Sequence, residues 1–135
     1  MEGCSGTPLA QKLGIKPGMI LHVVNAPDDY ATLVDPLPEK VVISSTAEPE
    51  LDLVHIFTKS RSELLASLKT FQRKIKQTGM IWVSWPKKSS GIPFELTDNT
   101  VREVALPLGL VDIKVCAVDE IWSGLKLVIR KENRR

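Results

Sequence analysis

Residues 52–91, DLVHIFTKSRSELLASLKTFQRKIKQTGMIWVSWPKKSSG, constrain this chain most: they read as strand, helix, strand and basic loop. Leu53 to Phe57 is a nearly continuous apolar run, the pattern of a strand covered on both faces. Ser60 followed by Glu63 forms a capping box, which satisfies free backbone donors where a helix begins. Leu64, Leu68, Phe71 and Ile75 recur at helical spacing, which predicts a helix over 61–78 with one face inward. Lys69, Arg73 and Lys76 then fall on its solvent side, and Gly79 stands where a left-handed residue would leave the helix. Ile81 to Trp85 is the next strand, stopped by Pro86. Two strands joined through a helix of this length run parallel, so the chain is an α/β protein.

The remaining elements build around that crossover. Pro8 can open a short helix through Leu13, closed by Gly14. Lys16-Pro17-Gly18 signals a turn before a strand over Met19 to Val24. Residues 28–35 suit a short helix and Val41 to Ile43 a short strand. The six residues before Asp52 are too few for an ordinary crossover, which predicts an antiparallel or irregular edge strand. Thr97 or Asp98 caps a helix whose buried stripe is Val101, Val104, Ala105 and Leu108, and Pro107 must end or kink it. Asp112 to Val118 and Leu125 to Ile129, joined by DEIWSG, read as a terminal antiparallel hairpin. The expected architecture is one three-layer, Rossmann-like domain over 1–135, mostly parallel, with residues 1–7 and 131–135 as flexible ends.

Composition narrows the function classes. A chain of 135 residues suits one core, and a net charge of +2 does not by itself imply nucleic acid. Cys4 and Cys116 make neither a disulfide framework nor a metal motif, so a reducing cytoplasm is the expected home. No apolar run is long enough to span a membrane, and no hydrophobic stretch accompanies Cys4 to make a leader or lipid anchor.

The segments LGIKPGM, NAPDDY, VSWPKKSSG and VREVALPLGLVDIKVCAVDEIWSGLKLV resemble a bacterial family of small single-domain proteins of unknown function. Parallel strands closed by a hairpin also resemble a shortened class I S-adenosylmethionine-dependent methyltransferase fold. That resemblance implies a glycine-rich loop after the first strand and an acidic residue at the end of the second. Here those positions read Asn25-Ala26-Pro27-Asp28-Asp29-Tyr30 and Ser44-Ser45. Both cofactor signatures are missing, so no cofactor is expected. A methyltransferase with a rebuilt loop is the enzyme alternative.

In open α/β sheets, ligands bind beyond the carboxyl ends of the parallel strands. Four loops should meet there, at 25–30, 58–61, 85–91 and 119–124. The candidate ligand-binding residues are Asn25, Lys59, Ser60, Arg61, Trp85, Lys87, Lys88, Ser89, Asp119 and Trp122. The cations suit a phosphate or carboxylate and the tryptophans suit a flat ring, so the expected ligand is a small anion or nucleotide. Asp119 with Glu120 would partly neutralise those cations or act as an acid/base pair. His22 and His55 fall level if Asn25 is level with Thr58, but no third ligand is evident and no metal is expected. The basic helix face lacks the exposed aromatics that RNA recognition uses. A homodimer through an open sheet edge, or an acidic protein partner, remains as the non-ligand reading.

Overall fold

The structure, a computed structural model, describes residues 8–46, 50–92 and 96–134; Cys4 and the amino-terminal end expected to be flexible lie outside the described residues. In chain order the elements are α1 (Leu9–Leu13), β1 (Ile20–Val24), α2 (Tyr30–Leu33), β2 (Val42–Ser44), β3 (Leu51–Phe57), α3 (Arg61–Phe71), β4 (Ile75–Pro86), α4 (Asp98–Ala105), β5 (Leu110–Ala117) and β6 (Trp122–Ile129). They make one six-stranded sheet of order β2-β1-β3-β4-β6-β5. The first four strands are parallel, and β6 runs antiparallel between β4 and β5. One face buries Leu64, Leu68 and Phe71 of α3 with Val101 and Val104 of α4. The other buries Leu9, Leu13, Tyr30, Phe57 and Trp82 under α1 and α2. The three-layer Rossmann-like expectation, with its antiparallel carboxyl-terminal pair, describes this sheet.

Three local expectations change. The helix expected over 61–78 ends at Phe71, and Ile75 begins β4. Ile75 follows Phe71 by four residues, so its burial satisfies helical spacing and strand pairing alike. Pairing wins: Leu51 N–H donates to the Lys74 carbonyl at 2.8 Å, and Leu51 lies opposite Ile75. Gly79 therefore is not a helix exit. It sits in a bulge where the register jumps from Leu51↔Ile75 to Leu53↔Met80. A Cβ there would lie 3.0 Å from both Ile75 Cβ and the Lys76 carbonyl oxygen, so the glycine admits close backbone approach.

β2 is an edge strand, as expected, but parallel to β1. Its three residues lie level with Ile20 to His22, while Leu53 of β3 is level with Leu21. The chain returns only a few residues' height, so no helix is needed between the strands. At the opposite edge, a bulge between Asp112 and Lys114 interrupts β5, which disfavours pairing with another strand. Residues 131–133 form a 3₁₀ turn instead of a frayed end, with Asn133 Nδ2 donating to the Gly109 carbonyl.

The two histidines separate. His55 lies opposite Val23, one residue from the assumed register, which puts the histidines on opposite faces. His22 packs against Phe71. His55 is fully buried beneath α2, with Nδ1 3.0 Å from the Tyr30 hydroxyl and Nε2 2.8 Å from Ser84 Oγ. Either neutral tautomer satisfies both contacts, one ring nitrogen donating and the other accepting. Burial lowers the His55 pKa to about 3 and pushes the Tyr30 phenol up, so the chain of three groups stays uncharged.

Two expectations follow from this core. Trp82 is fully buried and its Nε1–H donates to the Leu13 carbonyl at 2.9 Å, tying α1 to the sheet. Trp82→Phe leaves that carbonyl unsatisfied and lowers stability by about 1–3 kcal/mol, read from the urea midpoint. His55 titrates near 6.5 when unfolded and about 3 when folded, so between those values the unfolded state holds the extra proton. The contribution of His55 to stability is therefore present above pH 6.5 and is lost with acidification by up to about 1.4 kcal/mol per pH unit. Urea titrations at pH 7, 6 and 5 measure that slope, and His55→Gln removes most of it.

Candidate functional site

The carboxyl ends of β1 and β3 open into one hollow of about 360 Å³, lined by Asn25, Phe57, Thr58, Lys59, Glu63 and Trp122. Each wall has a local cause. Asn25 ends β1 in the left-handed region, at φ 56°, which asparagine tolerates better than most residues. Its Nδ2 donates to the Phe57 carbonyl at 3.3 Å, holding the first loop over β3. Phe57 closes β3 and makes the floor, stacked on His55 and meeting Tyr30 and Trp122 edge-on.

The next wall is the start of α3. Ser60 caps the helix, its hydroxyl accepting from Glu63 N–H at 3.2 Å. Glu63 departs from the usual box: its carboxylate accepts from the buried Thr58 hydroxyl at 3.0 Å. Lys59 stands exposed between them. Asp119 builds the opposite wall, its Oδ1 accepting from the N–H groups of Ile121 and Trp122 at 2.8 Å each. That turn sets the Trp122 ring against Phe57 with centroids 5.0 Å apart. Asp119 thus holds the loop's shape through Oδ1.

Asn25, Lys59 and Trp122 line the hollow, and Ser60 and Asp119 hold its walls. The other expected site residues lie elsewhere. Trp85 is buried on the α3–α4 face, because Ile81, Val83 and Trp85 share one side of β4. Arg61 extends to Glu103 of α4 at 3.3 Å. Lys87 joins the crevice loops only through its backbone, donating to the Ile121 carbonyl at 2.7 Å. Lys88 and Ser89 are exposed on a 3₁₀ turn whose Ser90 hydroxyl donates to the Lys87 carbonyl at 2.7 Å. That loop folds on itself. Phe57, Thr58 and Glu63 complete the hollow without having been singled out. Their signal was position, since the last residue of a buried parallel strand and the first helical turn border the crevice.

Larger open hollows lie away from the crevice; one of about 670 Å³ runs along the end of α3, past Lys69 and Arg73. Lys76, expected on the same helix face, belongs to β4 and pairs with Asp52 at 3.0 Å. Among the described residues no cluster of His, Cys, Asp or Glu could hold a metal ion, and no helix is long and apolar enough to cross a membrane.

The residues present do not make a cradle for S-adenosylmethionine. α2, where an open helix start would face the cofactor, has four residues and begins at Tyr30, whose ring is buried on His55 and Phe57. Pro27 lacks a donor in the loop before it. At the end of β2, Ser44 turns its hydroxyl into its own turn, donating to the Thr46 carbonyl at 2.9 Å and accepting from Thr46 N–H.

The fold is nevertheless that of methyltransferases. A SAM-dependent methyltransferase from Aquifex aeolicus is similar at TM-score 0.65 and 14% identity, over 90% of this chain and 88% of that one. Precorrin-6y C5,15-methyltransferase from Geobacter metallireducens gives 0.60 at 12% identity, over 90% and 85%. Magnesium protoporphyrin IX methyltransferase from Synechocystis PCC 6803, with bound SAM, gives 0.60 at 8% identity, over 90% and 74%. At these identities the likeness shows the fold alone. No curated protein sequence matches the chain. Residues 10–131 match the family described as protein of unknown function (DUF3052), and the chain belongs to that family.

Proposed function

We propose that this chain is a non-catalytic binding protein on a methyltransferase fold. Its crevice at the ends of β1 and β3 takes a small organic anion bearing a flat ring. The carrying observation is that Asn25, Lys59 and Trp122 converge on one hollow floored by Phe57. Lys59 supplies a cation at the mouth, and the half-buried Trp122 ring, packed over Phe57, supplies aromatic surface. Glu63 accepts from Thr58 and presents its carboxylate, which favours a ligand with a hydroxyl or amine donor beside its anionic group. A nucleoside monophosphate has that set of groups.

Divergent methyl transfer is the second reading, and the fold of the neighbouring structures supports it. It needs S-adenosylmethionine held without a glycine loop or an acidic residue on β2.

A thermal-shift and calorimetry panel with AMP, inorganic phosphate and S-adenosylhomocysteine separates the two. AMP at a hundred times its dissociation constant stabilises by about 2.7 kcal/mol, roughly 10 °C for a chain of this size. Lys59→Ala and Trp122→Ala each weaken AMP binding about tenfold or more, the loss expected for one charge-assisted contact or one ring stack. A shift with S-adenosylhomocysteine alone overturns the proposal in favour of the enzyme. No shift with any of the three removes both readings.

A further inference from the structure

Another hollow, of about 430 Å³, opens beside α1 and is lined by Pro8, Ala10, Gln11, Gly14, Ile15, Lys16, Pro36, Leu37 and Pro38. Its wall is mostly apolar, and no carboxylate lines it. Glu39, next along the chain, is exposed and engaged through its backbone carbonyl with Gly18 N–H.

Beside this hollow stand three lysines. Lys16 is in its lining. Lys126 reaches Gly14, its Nζ 3.9 Å from where a Cβ on that glycine would sit. Lys114 is the cross-strand neighbour of Lys126 on the β5–β6 pair. Like charges directly opposite one another destabilise a sheet. No ion pair joins any of the three to a carboxylate among the described residues. Lys16 and Lys114 lie near enough that, after burial, their charges lower the Lys126 pKa.

The carbonyls at the end of α1 do not account for this crowding. Gln11 accepts from Gly14 N–H, Ala10 from Ile15 N–H and Leu13 from Trp82 Nε1–H. The helix has only five residues, so its dipole is small.

We propose that this hollow binds a free amphipathic anion, a long-chain carboxylate or alkyl phosphate. Its head lies among Lys16, Lys114 and Lys126, and its hydrocarbon tail on Pro8, Ile15 and Leu37. The anion relieves the repulsion between the lysines, and the apolar wall removes the tail from water. Neither half of such a ligand suffices alone.

The test is isothermal titration of the full chain with decanoate, octanoate, decanol and inorganic phosphate. Decanoate binds at one per chain, and octanoate about fifteenfold more weakly, since each buried methylene contributes about fourfold. Decanol and phosphate each bind at least tenfold more weakly than decanoate. Lys16→Glu and Lys114→Glu, both at exposed positions, lower decanoate affinity about tenfold. Lys114→Glu also raises the Tm of the free protein by removing the like-charge pair. Lys59→Ala leaves decanoate binding unchanged, which separates this site from the crevice. Equal affinity for decanol and decanoate, or unchanged decanoate affinity in both lysine variants, overturns the proposal. Sedimentation with phosphatidylglycerol vesicles in the absence of any decanoate binding overturns it in favour of a lipid surface.

Discussion

The centre of this sheet is dry on both sides, and the rest of the structure follows from that. From Leu53 to Phe57 on β3 and from Met80 to Pro86 on β4, every side chain is buried. Each polar group placed there must find its partner inside, because leaving one unpaired costs about 1–3 kcal/mol. His55, Ser84 and Tyr30 solve this by bonding to one another across β3, β4 and α2. Trp82 solves it by bonding to α1. Two small helices that could not be stable alone are thereby fixed to one face of the sheet.

The serine–histidine contact in that chain has the geometry of a nucleophile and its base, but not the chemistry. Ser84 and His55 are wholly buried, so no substrate atom reaches the hydroxyl. Burial lowers the imidazole pKa to about 3, which leaves it too weak a base at neutral pH. The third group is a phenol, whose own ionisation is suppressed by burial, so it cannot stabilise an imidazolium as a carboxylate would. The chain of hydroxyl, ring and hydroxyl is a structural clasp.

The sequence was most legible where a physical signal is local. The Ser60 cap, Gly14 at the end of α1, the Thr97 cap of α4 and its end before Pro107 each rest on contacts within a few residues. What failed depended on partners distant in the chain. Ile75 obeys both periodicities, and only its pairing with Leu51 decides between them. A shift of one residue in the β1–β3 register sends His22 and His55 to opposite faces. Trp82 and Trp85 must point to opposite sides of β4, but nothing near them in the chain says which side borders the crevice. Lys59 and Asn25 line the crevice hollow because a strand's end fixes its first loop residues directly. Lys87, Lys88 and Ser89 do not, because their loop was free to turn back on itself.

The same reasoning separates groups explained by the fold from groups the fold leaves unexplained. Among the described residues, every buried side-chain nitrogen and oxygen has a partner. Arg102 is held between Asp98 and Asp112, and Lys76 by Asp52. Lys114 and Lys126 have no such carboxylate partner among the described residues and are opposed on neighbouring strands with Lys16 close by. A chain selected for stability alone would place a carboxylate at either position, since an opposite-charge pair there would stabilise the sheet by a few tenths to about 1 kcal/mol. Retaining two ammonium groups instead keeps a positive field at the margin of an apolar hollow. In the crevice Asp119 is engaged by the chain itself and Glu63 holds Thr58 through one oxygen, leaving Lys59, the Trp122 ring and the second Glu63 oxygen as the groups with capacity to spare. Unused capacity, not residue type, is what these two places have in common.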